Sequence, residues 1–97
     1  MRIAVDTHVS INAIEALKNT GFDVVTIAGI GEDDESWVSR ALSAGAEVFV
    51  SSDLDIPNLL ERYDSMAIWL DLPQGKVNQY NWIVQSIKRM EERLEKR

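Results

Sequence analysis

Residues 47–57, Glu47-Val48-Phe49-Val50-Ser51-Ser52-Asp53-Leu54-Asp55-Ile56-Pro57, change character twice. Glu47 to Ser51 is a run of strand formers centred on Val48-Phe49-Val50. Asp53 and Asp55 follow directly, and Pro57 suits the first turn of a short helix. A buried strand that passes through acidic residues into a helix is the strand-to-helix joint of a parallel sheet.

The same grammar repeats on either side. Residues 2–6 form a short buried strand whose apolar run Ile3-Ala4-Val5 ends on Asp6. A helix over about 10–20 follows, with Ala13, Ile14 and Leu17 on one face, Ser10 as its cap and Gly21 as its stop. Phe22 to Ile27 reads as a second strand, and Gly29-Ile30-Gly31 as a turn. Asp33 or Asp34 caps a helix to about Ala44, with Trp37, Val38, Ala41 and Leu42 as its inner stripe, closed by Gly45.

Downstream of Pro57, Leu59, Leu60 and Tyr63 are expected to pack inward. Met66 to Leu72 reads as a fourth strand with Ala67-Ile68-Trp69-Leu70 as its buried centre, and Pro73-Gln74-Gly75 turns the chain. The spacing of Val77, Tyr80, Val84, Ile87, Met90 and Leu94 predicts a last helix over about 76–97. Such a helix spans about 30 Å, longer than a four-stranded sheet needs, so its end is expected to project or to meet a partner. Alternation with short joints predicts one domain: a three-layer α/β/α sandwich around a mainly parallel four-stranded sheet with right-handed crossovers.

Composition limits what this fold could do. The chain has 97 residues, enough for one domain with little spare stability. It has no cysteine, which excludes disulfides and thiolate zinc sites. No apolar run approaches a membrane span, and the first residues enter a strand without a signal-peptide h-region, so a cytoplasmic protein is expected. The net charge of −6 argues against a dedicated nucleic-acid binder. The charge is uneven, however: residues 1–60 carry ten acids and three bases, whereas Lys88 to Arg97 carry five bases and three acids. That tail reads as a solvated helix with ion pairs such as Glu92 with Lys96, and as a phosphate-contacting end in the alternative.

Four aspartates mark the joints. Asp6 and Asp53 end the two strands expected at the centre of the sheet, Asp55 lies two residues beyond Asp53, and Asp34 opens the second helix. In a parallel sheet the strand carboxyl ends form one rim, where ligands bind. Carboxylates gathered there repel one another unless a cation or a proton relieves them. Mg²⁺ or Mn²⁺ suits such oxygen ligands, with Asp6, Asp53 and Asp34 as candidate metal ligands and Asp55 as a fourth acidic residue. A divalent ion in such a site promotes phosphodiester hydrolysis by acidifying a water and neutralising developing charge. Each of Asp33, Asp34 and Asp55 taken singly also reads as a helix cap, whereas Asp6 has little structural reason to sit at a buried strand end.

These stretches resemble the short PIN-like proteins of the PIN nuclease superfamily. The likeness runs through Ile3-Ala4-Val5-Asp6-Thr7-His8, then Ala16 to Val25 with Gly21-Phe22-Asp23-Val24-Val25, Asp34-Glu35 with Ala41 and Gly45, and Val50 to Ile56. It covers roughly residues 1–72 and rests on order and spacing. It implies Asp6, Asp34, Asp53 and Asp55 as a catalytic acidic site, with Glu35 substituting for Asp34 if the register shifts by one. It further implies an Mg²⁺- or Mn²⁺-dependent ribonuclease with RNA as substrate, in some relatives a toxin held by an antitoxin. This chain departs from the pattern at His8, where Asn is frequent, at Leu54, where a base is usual, and at Ile56, where Phe is usual.

His8 reads either as a substrate contact or as a surface or capping histidine. Ser51 and Ser52 are able to bond an aspartate or a phosphate oxygen, or simply end the strand. Trp37 and Trp69 fall on inward positions, whereas Trp82 lies off the last helix's stripe and reads as an exposed partner or homodimer contact. The competing function is a catalytically inactive PIN-like interaction or regulatory module. A phosphoacceptor receiver domain, suggested by Asp53 and Pro57, lacks the acidic pair, the late lysine and the fifth strand it needs.

Overall fold

The computed structural model describes residues 1–27, 31–75 and 77–95, without the side chains of Leu94 and Glu95. The expected turn at Gly29-Ile30, the packing of Leu94, and Lys96 and Arg97 of the basic tail lie outside the described residues. Strands and helices alternate: β1 (Arg2–Val5), α1 (Ile11–Asn19), β2 (Asp23–Val25), α2 (Asp34–Ser43), β3 (Val48–Ser51), α3 (Asp55–Arg62), β4 (Ile68–Asp71) and α4 (Gln79–Glu95).

The four strands form one sheet in the order β2-β1-β3-β4, and every pairing is parallel. Side chains alternate across it as the pleat requires. Ile3, Val5, Val48 and Val50 face one side, where they pack with Ala13 and Leu17 of α1 and Ile83 and Ile87 of α4. Ala4 and Phe49 face the other, with Trp37, Val38 and Ala41 of α2 and Ile56, Leu59 and Leu60 of α3. Two apolar cores thus sandwich the sheet, and Trp37 meets Phe49 edge-on at 5.5 Å between ring centres.

Strand order fixes where a ligand would approach. From β1 the chain moves to β2 at one edge, and then returns to β3 on the other side of β1 and on to β4. The order therefore reverses between β1 and β3. Loops leaving these two strands separate to opposite faces, which opens a crevice at their carboxyl ends.

Helix ends follow local chemistry. The Ser10 hydroxyl caps α1 by accepting from Ala13 N at 3.2 Å. Asp33, not Asp34, caps α2, its carboxylate accepting from Ser36 N at 2.8 Å. Gly45 leaves α2 at φ 88°, a left-handed conformation that favours glycine.

Four packing expectations need correction. Among the described residues the outer strand β4 has a neighbour only on the β3 side, so Ile68 is exposed and Trp69 and Leu70 are half-buried, while Met66 precedes the strand and is 96% exposed. Tyr63 falls after α3 and is exposed, its hydroxyl donating to Glu35 Oε1 at 3.2 Å, and Ile56 takes the buried place instead. In α4 the buried positions are Ile83 and Ile87, one turn apart, with Tyr80, Val84 and Met90 flanking them and Val77 outside the helix and exposed. Trp82, expected to be exposed, is half-buried against the same core. No helix among the described residues is long and apolar enough to cross a membrane.

Candidate metal centre at the strand ends

Asp6 follows β1 and is 6% exposed. Both of its carboxylate oxygens are occupied. Oδ1 accepts from the backbone N of His8 at 2.8 Å, and the Ser51 hydroxyl donates to Oδ2. The His8 ring lies beside it, with Nδ1 3.3 Å from the carboxylate. A buried carboxylate is tolerable when donors surround it in this way.

Ser51 is fully buried at the end of β3, and it joins the two strand ends. Besides donating to Asp6, its hydroxyl accepts from Asp53 N at 2.9 Å. Its carbonyl accepts from the Trp69 indole at 3.1 Å and from Leu72 N at 3.0 Å. The serine is thereby held by β4 while it holds Asp6 and the start of the Asp53 loop.

Asp53 then turns the chain. Its Oδ1 accepts from Asp55 N at 2.9 Å, closing a two-residue side-chain turn. Leu54 already has helical angles (φ −67°, ψ −14°), so Asp55 reaches the site from the first turn of α3. Asp34 arrives from the first turn of α2. Because Asp33 takes the capping role, the Asp34 carboxyl is free to bond Asp53. Oxygens of Asp34, Asp53 and Asp55 lie within 4.8 Å of one another.

Electrostatics follow from this crowding. The bond to Asp53, partial burial, and the charges of Asp53, Asp55 and Asp6 push the Asp34 pKa up to about 6. Asp53 moves the other way, lowered first by the Asp55 backbone N–H, then by the bond from Asp34, with His8 adding a favourable charge effect. Below about pH 6 the pair thus holds one proton, carried by Asp34. Such a proton is what a cation would displace.

The structure brings Asp34, Asp53 and Asp55 into one cluster that could hold a cation. Asp6 joins them through Ser51 and through its charge, with both of its own oxygens already bonded. His8 is bonded to Asp6 and its side chain is 63% exposed. Ser52 faces a pocket shared with His8. Glu35 points elsewhere, accepting from Tyr63. Gln79, which sequence reading did not single out, grips the β1–α1 loop from α4: its Nε2 donates to His8 O at 3.0 Å and its Oε1 accepts from Ser10 N at 2.7 Å. No local pattern announces a bond between residues some seventy positions apart.

Comparison with protein-family models, with curated proteins and with solved structures finds no match for this chain.

Proposed function

We propose that the chain is a divalent-metal-dependent ribonuclease of PIN-like type. The observation that carries this reading is the convergence of Asp34, Asp53 and Asp55, with Asp6 locked behind them, at the crevice where the strand order reverses. Three carboxylates within 4.8 Å of one another, with a proton retained to about pH 6, are chemically suited to Mg²⁺ or Mn²⁺. The likeness to PIN-like proteins in order and spacing points to RNA as the substrate.

Asp34, Asp53 and Asp55 would hold the ion. A bound divalent ion supplies charge to balance that developing on a phosphoryl group under attack by water. The chain's own residues supply position. Ser51 fixes the Asp6 carboxylate and the Asp53 backbone together, so the two strand ends move as one. The Asp55 N–H fixes the Asp53 carboxylate rotamer. Asp34 gives up its proton as the pH rises past about 6, after which all three carboxylates offer charge to the cation.

Incubation of purified protein with RNA in Mn²⁺, with and without EDTA, tests the reading. Cleavage that EDTA abolishes, and that Asp53→Asn lacks, is the expected result. RNA left intact by the wild type in both Mn²⁺ and Mg²⁺ would leave the interaction-module reading in its place.

A further inference from the structure

Among the described residues, one pocket includes part of the acidic centre and another lies beside His8 and Ser52, and the two differ in charge. One is lined by Asp33, Asp34, Glu35, Asp55, Asn58 and Arg62, with four carboxylates against one base. The other, about 290 Å³, is lined by His8, Ser52, Leu72, Pro73, Gln74 and Gly75, closed by Gln79, and has no carboxylate. A continuous chain of hydrogen bonds links them: His8 to Asp6, Asp6 to Ser51, Ser51 to Asp53, and Asp53 to Asp34 and Asp55. Among the described residues these pockets give a ligand at the acidic centre two directions to leave it.

We propose that the His8–Ser52–Gln74 pocket is the subsite for the nucleotide unit adjoining the scissile phosphate of an RNA strand, and that the strand leaves the centre on this side. This rests on the ribonuclease reading above. Charge decides the direction: a polyanion entering the opposite pocket meets four carboxylates, whereas here it meets the chain's only histidine and two neutral side chains with donors. The Ser52 hydroxyl and the Gln74 amide are engaged by no other described residue, which leaves both for phosphate or ribose oxygens. Half-buried Pro73 supplies an apolar edge against which a base or sugar face can lie.

The pocket is also built to keep its shape. Gln79 spends both ends of its amide on the backbone of the β1–α1 loop, so α4 holds His8 in place and the amide is a wall, not a ligand group. Leu72 N is bonded to Ser51 O, which ties the opposite wall to the residue that organises Asp6 and Asp53. Subsite and metal centre thus share one scaffold.

The test is a titration of isotope-labelled full chain with uridine 5′-monophosphate in Mg²⁺, followed by amide chemical shifts, with inorganic phosphate and the deoxynucleotide as parallel arms. Saturable shifts at His8, Ser52, Gln74 and Gly75 are expected, with affinity about tenfold lower in Ser52→Ala or Gln74→Ala, as for loss of a hydrogen bond to a charged group. Weaker shifts with phosphate alone would show that the ribose and base contribute. Shifts centred on Asn58 and Arg62, or no saturable shift anywhere, would overturn the subsite. Cleavage of RNA by both variants with unchanged KM would also overturn it and leave the nuclease reading intact. Failure of the wild type to bind metal or cleave RNA would instead remove the nuclease reading.

Discussion

The two ends of the sheet treat charge in opposite ways. At the amino end, Arg2 opens β1 beside its register partner Asp23, with 3.7 Å between the charged atoms, and its guanidinium also donates to the carbonyl of Ala44. Opposite charges meet there and close a helix end. At the carboxyl end, Asp6, Asp34, Asp53 and Asp55 gather, and one of them keeps a proton to about pH 6. The first arrangement favours the folded state, though only slightly for so exposed a pair. The second works against the folded state, and so it points to a ligand. Strained electrostatics of this kind concentrate at functional sites.

The largest effect should come from the acidic end. Asp53→Asn is expected to lower RNA cleavage by on the order of 100-fold or more, because it removes one of the three proposed metal ligands, and substitutions one shell further out already cost about 10–100-fold. Circular dichroism should show the fold retained. Cleavage at the wild-type rate would break the comparison.

Ser51→Ala comes next. It leaves Asp6 Oδ2 and Asp53 N without their shared partner in a fully buried position, so a stability loss of about 1–3 kcal/mol is expected in denaturant titrations. Cleavage should fall by about 10–100-fold, as for a residue that orients ligands and does not touch the ion. Loss of stability with unchanged cleavage would make Ser51 purely structural.

Asp34 offers a contrast in sign. Its folded pKa lies above the unfolded value, so the folded state holds the proton more tightly and this contribution to stability declines as pH rises from about 4 through about 6. Asp53 acts oppositely: its lowered pKa contributes stability that is lost only as pH falls below the normal carboxylate range. Asp34→Asn should therefore raise stability above pH 6, by about 0.5–1 kcal/mol, while abolishing cleavage. In the wild type, Mg²⁺ should raise the melting temperature more near about pH 8 than near about pH 5, since below pH 6 it competes with the Asp34 proton.

The smallest effect belongs to the amino end. Asp23→Asn breaks an exposed ion pair and should cost less than about 1 kcal/mol, with cleavage unchanged. Any marked loss of cleavage would show that the two ends are not as separate as their charge patterns suggest.

Much of this was legible in the residue pattern. Ile3-Ala4-Val5 and Val48-Phe49-Val50 are apolar on both sides because helices cover both faces, and that run alone marks central parallel strands. The aspartates were visible because they end those runs. Local propensity was less informative wherever the outcome depended on a distant partner. Ile68 and Trp69 read as buried from their own composition, but no strand lies beyond β4 among the described residues to bury them fully. Adjacent Asp33 and Asp34 are chemically equal, and only the helix phase makes one a cap and the other a site residue. Ser51 and Ser52 differ by a single pleat, which sends Ser51 to the Asp6 carboxylate and Ser52 to the pocket.

The most direct measurement is an anomalous difference map from crystals soaked in millimolar Mn²⁺ above pH 6. A peak bonded to oxygens of Asp34, Asp53 and Asp55, absent from Asp53→Asn crystals, is the expected result. A map with no peak among these carboxylates, in a site open to solvent, would contradict it.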